Sequence, residues 1–398
     1  MSLYETVMGT IRKNRESLQG EDPNCIVFPY ERFRGCFPGQ EKGKYYGITG
    51  SQKSAKSKWT DYTFLYEPFF DMIENNGPEI HCMYFTLEMS PSYKMLEFMC
   101  HALYRISGGS MRYSPRQAKS VGKGVRFPDE AMKVMESDEF RHICEKWEET
   151  VEYITDRRNP TGINKTIKER ALAHGHYIFR DPEKQEGVIG YKPDNEDIYE
   201  IIIIDNLANL SVEREFTERQ NINKLSKYIV AARDLLNYTF IVIQHQAQSV
   251  EDKDSFKFNK GEPTSAGLGN SKEICRDLNM LFGIYSPFKM GLSGYKGYDI
   301  SRLRNYARFV KVLEDRDGDA TGEILPLLFD GAVSIFDEMP KSFQEKEMED
   351  FYRYAEAHDS MPGMLSFMRK STPVSIWYKI RRMSFFLISK KVKQLWEK

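Results

Sequence analysis

The sequence predicts an α/β fold with a central, mostly parallel sheet flanked by helices, and three observations carry that prediction. Tyr199-Glu200-Ile201-Ile202-Ile203-Ile204 and Thr239-Phe240-Ile241-Val242-Ile243 are apolar on both parities, as strands covered on two faces are. Helix-compatible segments separate such runs, which suits the crossovers that parallel strands need. Between Tyr45 and Thr60, a short β-prone run, a loop of small residues and a helix-compatible segment follow in that order.

With 398 residues the chain has room for one large domain or two ordinary ones. Lys and Arg number 57 against 58 Asp and Glu, so contact with nucleic acid must come from local patches rather than overall basicity. Cys25, Cys36, Cys82, Cys100, Cys144 and Cys275 form no C-x-x-C pair, and no apolar run has the length of a signal peptide or a membrane span. Free thiols in a reducing, cytoplasmic compartment follow, with no integral membrane segment. His174 and His176 form an H-x-H that nothing nearby completes into a tetrahedral metal site, and both read as surface or loop histidines.

Taken in order, Leu3, Val7, Ile11 and Leu18 give residues 3–18 a weak helical stripe, either a solvated terminal helix or an arm that docks on a neighbouring subunit. A turn-rich lead-in through Pro29, Gly35, Pro38 and Gly43 reaches the strand Tyr45 to Thr49. Gly50-Ser51-Gln52-Lys53-Ser54-Ala55-Lys56-Ser57 then has the layout of a phosphate-binding loop. In such a loop the backbone N–H groups and the positive end of the next helix face the phosphates of a nucleotide such as ATP. Lys56 would reach the β and γ oxygens and Ser57 would hold Mg²⁺. The usual pattern has Gly before the Lys; Ala55 stands there, a small intrusion if its φ is negative and a serious one if not. A second register, with Lys53 as the phosphate ligand, puts Gln52 at that position and truncates the strand. Read alone, the segment could also be a Ser/Lys-rich turn.

Beyond the loop, Trp59, Tyr62, Leu65 and Phe69 can share one helix face, and Asn75-Asn76-Gly77-Pro78 stops that helix. Ile80 to Leu87 is a second buried strand, ending in Glu88-Met89-Ser90-Pro91. A carboxylate at the carboxyl end of a strand sits where open α/β sheets bind ligands, so Glu88 is a candidate general base for an attacking water; its other reading is a helix cap together with Ser90. Residues 105–198 are polar and poor in strand signals and read as a helical excursion, with helices around Asp129 to Thr150 and Asn164 to Ala173. Asp205, after the four isoleucines, suits the Mg²⁺ shell, or is a turn residue. Gln244, at the end of the next strand, suits a sensor of the γ-phosphate or its water. Lys253, Lys257 and Lys260, interleaved with Phe256 and Phe258 in the polar loop from Ser249 to Gly269, suit single-stranded nucleic acid, with a plain solvated loop as the alternative. Four short strand-like runs follow: Met280 to Tyr285, Ala307 to Leu313, Ile324 to Phe329 and Val333 to Phe336. The turn after the second carries Arg316, either in local salt bridges or as a finger toward another subunit's nucleotide.

The order of these pieces resembles the RecA-like motor domain of DnaB-type replicative helicases, from about Ile26 to Phe336. Phe85 to Ser90 resembles that family's glutamate-bearing strand, and Ile201 to Leu210 its Mg²⁺-binding strand. Val242-Ile243-Gln244-His245-Gln246 is similar to its Gln-containing motif, Ser265 to Asp277 to its DNA-facing loop, and Arg316 to Gly322 to its finger hairpin. The resemblance implies a RecA-like P-loop ATPase in a homo-oligomeric, hexameric ring that moves along single-stranded DNA in replication, with ATP and Mg²⁺ between neighbours and other replication proteins as partners. By motif position Lys56 and Ser57 hold phosphate and Mg²⁺, Asp205 the metal shell, Glu88 the water and Gln244 the γ-phosphate signal. Arg316 acts in trans. Loops at 206–221 and 249–272, the second including Lys272, grip the DNA. Ala55 replaces the family's Gly, Glu314 stands where its finger hairpin usually has Lys, and the turn after Arg316 carries an extra residue. No counterpart of the family's primase-recruiting N-terminal domain is expected in the lead-in.

The expected organisation is thus an arm or linker helix over 1–25, a RecA-like ATPase domain over 26–338 and a helical basic tail over 339–398. From Arg369 to Lys398 the tail has nine Lys and Arg against one acid, interleaved with Ile376, Trp377, Phe385, Phe386, Leu395 and others. It suits DNA, an acidic partner or a membrane surface, or packs on the motor. Two further readings of the whole chain stay open. One is a RecA-like accessory ATPase, a recombinase or loader, that binds DNA without unwinding it; the other is a degenerate nucleotide-binding scaffold.

Overall fold

A computed structural model describes residues 3–19, 24–36, 38–122, 126–247, 261–271 and 273–359. The helices used below are α1 (Leu3–Gln19), α2 (Lys56–Asp61), α3 (Glu67–Asn75), α4 (Pro91–Ile106), α5 (Asp138–Thr150), α6 (Pro160–Ala173), α7 (Glu218–Leu236) and α8 (Glu345–Asp359). The strands are β1 (Tyr45–Gly50), β2 (Ile80–Thr86), β3 (Val151–Ile154), β4 (Gly175–Asp181), β5 (Glu186–Pro193), β6 (Tyr199–Asp205), β7 (Thr239–His245), β8 (Met280–Tyr285), β9 (Ala307–Asp315), β10 (Ile324–Asp330) and β11 (Ile335–Glu338). They fall into two compact units. The first holds the chain up to Pro91, Glu145–Tyr285 and Phe309–Leu325; the second holds Ser92–Cys144, Ser286–Arg308 and the chain from Pro326 on.

In the first unit, six strands run parallel in the order β8, β1, β7, β6, β2, β3, and β9 joins β8 antiparallel. This is the α/β, mostly parallel sheet flanked by helices that the apolar runs predict. The reason is visible in β6, where Ile201, Ile202, Ile203 and Ile204 are all fully buried, so neither parity has a wet face to mark with a polar residue. Each buried Ile adds about 1.5–3 kcal/mol over leaving it exposed. On one side Ile202 and Ile204 join a core with Phe240 and Val242 of β7, Ile163 and Ile167 of α6, and Leu225 and Ile229 of α7. A capping box between Thr217 and Gln220 starts α7, and left-handed Asn237 ends it.

From the end of β1, α2 passes through a π-helical turn at Tyr62–Tyr66 into α3, which stops at left-handed Asn76. Trp59, Tyr62, Leu65 and Phe69 are buried as their spacing predicts, and Phe64, Tyr66 and Phe70 are buried too. This run is therefore buried on every face, its polar Thr60, Asp61, Thr63 and Glu67 included, with the Trp59 ring against Phe64 and Phe282. By contrast α1 leaves Tyr4, Val7 and Ile11 exposed.

Within 105–198, read from sequence as helical, the chain also forms β3, β4 and β5. Strand β3 is four residues long and pairs with β2 from Cys82↔Val151 to Phe85↔Ile154, an edge position that leaves Glu152 exposed. So short a strand offers no continuous apolar run to detect. Hairpin β4–β5 is largely solvated. Tyr177 and Tyr191 turn inward from it onto the core, and Tyr191 Oη donates to the Ala171 carbonyl at 2.9 Å. Ile178, Val188 and Ile189 are exposed, so its apolar residues do not sort cleanly by parity, and the alternation that marks a half-buried strand is missing.

The second unit contains most of α4, the antiparallel hairpin β10–β11 paired from Leu327↔Glu338 to Asp330↔Ile335, and α8. It holds a buried ion pair. Arg112 reaches both oxygens of Asp330, Nη2 at 2.7 Å from Oδ1 and Nε at Oδ2, while Tyr354 Oη donates to the same carboxylate at 2.5 Å.

Candidate nucleotide site

Parallel strands all present their carboxyl ends at one edge of a sheet, and ligands of open α/β folds gather there. The first unit puts four sequence-singled elements side by side at that edge. Gly50 ends β1 opposite His245 of β7, Ile204 of β6 pairs with Val242, and Thr86 of β2 pairs with Asp205. Lys56, Ser57, Gln244, Asp205 and Glu88 are therefore brought to one edge of four adjacent strands.

The loop from Gly50 to Lys56 leaves β1 intact through Gly50, and α2 begins at Lys56. Gly50 has no alternative, because a Cβ there would sit 2.4 Å from the Ile284 carbonyl oxygen and 2.8 Å from Ser54 Oγ. Ser51 and Ser54 are buried, whereas Gln52 and Lys53 are exposed. The Lys56 side chain folds back over the loop, its ammonium donating to the carbonyls of Ser51 at 2.8 Å and Gly50 at 3.2 Å, and the residue is only 5% exposed. Lys53 stands away from this arrangement, which suits the register with Lys56 as the inward cation.

Ala55 has φ 76° and ψ 32°, the left-handed region. A Cβ in that region costs about 1–2 kcal/mol, part of which alanine recovers through its stiffer unfolded chain. Ala55→Gly is therefore expected to stabilise the protein by about 0.5–1 kcal/mol, read as a rise in the thermal unfolding midpoint. A variant that melts at or below the parent's temperature would show that the loop carries no strain at this residue.

Ser57 and Asp61 are four residues apart on one helical face. Asp61 Oδ1 lies 3.0 Å from Tyr84 Oη, which lies 3.1 Å from Asp205 Oδ2, so that face of α2 looks toward the end of β6. Asp61, Tyr84 and Asp205 are each about 2% exposed or less. Burial first, then the charges of Asp205 and Asp61, push the Tyr84 phenol well above its ordinary range, so it stays a protonated donor. Beyond Asp205, Asn206 Nδ2 donates to Glu88 Oε2 at 2.6 Å and lies 3.2 Å from His245 Nε2. Gln244 Oε1 is buried and meets no hydrogen-bond partner among the described residues. The next residue but one, Gln246, ties the end of β7 to the base of the loop: its Nε2 donates to Thr49 Oγ1 at 2.9 Å, and its backbone N–H to the Gly50 carbonyl at 3.1 Å. Asp61, Tyr84 and Asn206 escaped the reading by motif. Nothing local marks them except the i, i+4 spacing of Asp61 from Ser57.

No protein-family model matches the chain, and no curated protein matches it. Among solved structures, an ATPase domain superposes with a TM-score of 0.58 at 13% identity, covering 85% of this chain and 99% of that one. A DnaB-like replicative helicase, solved for its interactions with primase, gives 0.57 at 14% identity and covers 84% of this chain and 66% of its own. The chain has the RecA-like fold of DnaB-type helicase ATPase domains. In this RecA-like sheet Arg316 lies elsewhere. Asp315 pairs with Met280 at the start of β8, and the Arg316 backbone N–H donates to the Asn279 carbonyl at 2.9 Å. Met280 is opposite Tyr46 and Ile284 opposite Gly50, so the hairpin of Arg316 sits about 13 Å along the strands from the loop, at the opposite edge. The exposed Arg316 thus does not join its own chain's cluster. Lys44 Nζ, 2.8 Å from Asp317 Oδ2, moors the hairpin next to it.

Lys253, Lys257, Lys260 and Lys272 lie outside the described residues, as do residues 360–398 of the basic tail, whose described part is α8 and the residues leading into it. His174 and His176 are exposed, and among the described residues no group of three or more His, Cys, Asp or Glu could hold a metal. Among those residues, too, no helix is long and apolar enough to cross a membrane.

Proposed function

We propose that this RecA-like ATPase is a DNA helicase or translocase of the DnaB-like type, hydrolysing ATP at interfaces between copies of the chain to move along single-stranded DNA. The observation that carries the reading is the gathering of Lys56, Ser57, Asp205, Glu88 and Gln244 at the carboxyl edge of β1, β7, β6 and β2. The donor set fits the ligands: an ammonium and a loop leading into a helix suit a triphosphate, and a hydroxyl and a carboxylate are the hard oxygen donors that Mg²⁺ takes. Bound Mg²⁺ would supply charge neutralisation on the phosphate oxygens. Lys56 would leave its carbonyl partners for the β and γ oxygens. Ser57 and Asp205 would hold the metal and its water shell, with Tyr84 orienting the Asp205 carboxylate. Glu88 would take a proton from the attacking water, and Gln244 would face the γ-phosphate. Arg316, remote from its own chain's loop, would serve a neighbour's nucleotide, which would require a homo-oligomer such as a hexameric ring. The exposed stripe of α1 supports docking on that neighbour. The loops at 206–221 and 249–272, with Lys253, Lys257, Lys260 and Lys272, would grip DNA, in a cytoplasmic replication setting with other replication proteins. The expected division is an arm over 1–25, the motor over 26–338 and a basic tail over 339–398.

The test is phosphate release with and without single-stranded DNA, run beside strand displacement. Glu88→Gln is expected to lower DNA-stimulated turnover by about 10²–10⁴-fold while ATP still binds. Full turnover in that variant refutes the assignment. The left-handed Ala55 favours one other reading, a nucleotide-binding scaffold, and parent protein that binds ATP without releasing phosphate even with DNA would select it. Turnover on single strands without duplex opening would select a recombinase-like or loader-like ATPase.

A further inference from the structure

We infer that Asn206 is a positioning residue for Glu88, fixing the direction in which that carboxylate presents its second oxygen. The inference rests on the function proposed above and deepens it. Glu88 is exposed, and a solvated glutamate side chain ordinarily samples several rotamers, which is a poor state for a base that must meet one water. Its backbone, however, is fastened on both sides. The Leu87 N–H donates to the Asp205 carbonyl at 2.7 Å, the Leu87 carbonyl accepts from the Arg158 guanidinium, and Thr86 Oγ1 donates to the Met89 carbonyl at 2.5 Å. What remains is the side chain, and Asn206 takes hold of it.

The holder is itself rigid. Asn206 is 2% exposed, and its amide has little freedom left to turn. Oδ1 accepts the Ala208 N–H at 3.0 Å, which settles which end of the amide is oxygen, because a flipped amide would set two donors against each other. Nδ2 then donates to Glu88 Oε2 at 2.6 Å and lies 3.2 Å from His245 Nε2, which accepts its second hydrogen in the tautomer protonated at Nδ1. With Oε2 so held, the plane of the carboxylate is set, and Oε1, which carries no bond to Asn206, would be the oxygen that receives the proton. A nucleophile's base oriented by a third group is a recurrent catalytic arrangement, and here the third group is the residue that follows Asp205 at the end of β6.

The experiment measures steady-state ATP turnover and nucleotide binding on the full chain for Asn206→Ala, Asn206→Asp and Glu88→Gln. Asn206→Asp keeps the shape and the acceptor for Ala208 but removes the donor, so it tests the amide hydrogen itself even if Asn206→Ala folds poorly. Both Asn206 variants are expected to lose on the order of 10- to 100-fold in kcat, with KM for ATP and nucleotide binding within about twofold of the parent. A role confined to folding would move binding and the thermal midpoint together with kcat. If Glu88→Gln is inactive while Asn206→Asp keeps the parent's kcat, or if Asn206→Ala turns over faster than the parent, the positioning role is overturned and the function proposed above stands. If Glu88→Gln itself retains turnover, that function loses its base, and this inference falls with it.

Discussion

Replacing Lys56 with alanine is expected to lower the proposed DNA-stimulated ATP hydrolysis by two to three orders of magnitude, the loss that follows removal of one preorganised donor from a developing charge. The position of the ammonium is the reason. A lysine that is 5% exposed has given up most of its hydration, and two of its bonds go to the Gly50 and Ser51 carbonyls, neutral oxygens of its own loop. Such acceptors hold a cation less strongly than an anion does, so a triphosphate delivered to the loop competes well for those donors. Lys56→Ala removes the cation and also the two bonds that close the loop on itself. Nucleotide affinity is therefore expected to fall along with turnover, in contrast to Glu88→Gln, which leaves binding in place. Lys56→Arg is not expected to rescue, because a planar guanidinium cannot replace a compact ammonium inside so close a loop. Phosphate release and titration with a fluorescent nucleotide measure the two quantities. A Lys56→Ala protein that retains half of the parent's turnover would remove the phosphate site from this loop.

The sheet, and which residues share its carboxyl edge, are largely legible in the sequence, for a reason that is local. A strand buried on both faces must be apolar at consecutive positions, so β2, β6 and β7 announce themselves, and the polar residue that interrupts each run marks the edge where ligands gather. Asp205 and Gln244 are found that way, and Glu88 lies just beyond such a run. Strand β3 was invisible because a four-residue edge strand needs little apolar content. Hairpin β4–β5 was missed because Ile178, Val188 and Ile189 are exposed while Tyr177 and Tyr191 turn inward, so apolar residues fall on both parities of short strands set in a polar stretch. The left-handed conformation of Ala55 was equally out of reach, since sequence shows only that glycine is missing, not what φ the loop requires. Asp61, Tyr84, Asn206 and His245 come from four segments and meet only because β2, β6 and β7 are neighbours. Such a network is a property of strand order, which spacing along the chain does not encode.

In the second unit, Arg112→Ala is expected to destabilise the protein by about 3–5 kcal/mol at neutral pH, the cost of leaving a buried charge without its partner. The Asp330 side chain is 3% exposed, against 23% for Arg112. Burial alone would raise the Asp330 carboxyl, but the hydrogen bonds and charge of Arg112, then Tyr354 and the Ala332 N–H, more than offset it and hold the carboxyl below its ordinary range. A carboxyl depressed in the folded state binds its proton less readily there than in the unfolded chain. Its stabilisation is therefore present above the unfolded value of about 3.9 and drains away as pH falls through the lower folded value. Without Arg112 the sign reverses: burial dominates, the carboxyl rises and takes up a proton while the chain is still folded, and the variant is relieved of its charge as the pH drops. The gap in stability between parent and Arg112→Ala is thus expected to be widest near pH 7 and to narrow toward pH 4. Urea unfolding midpoints at the two pH values measure it. An equal gap at both would mean that Arg112 contributes packing rather than charge. The paired replacement Arg112→Met with Asp330→Leu separates the same two contributions from the other side. It discards both ions and keeps apolar volume, so it is expected to lie closer to the parent than Arg112→Ala does.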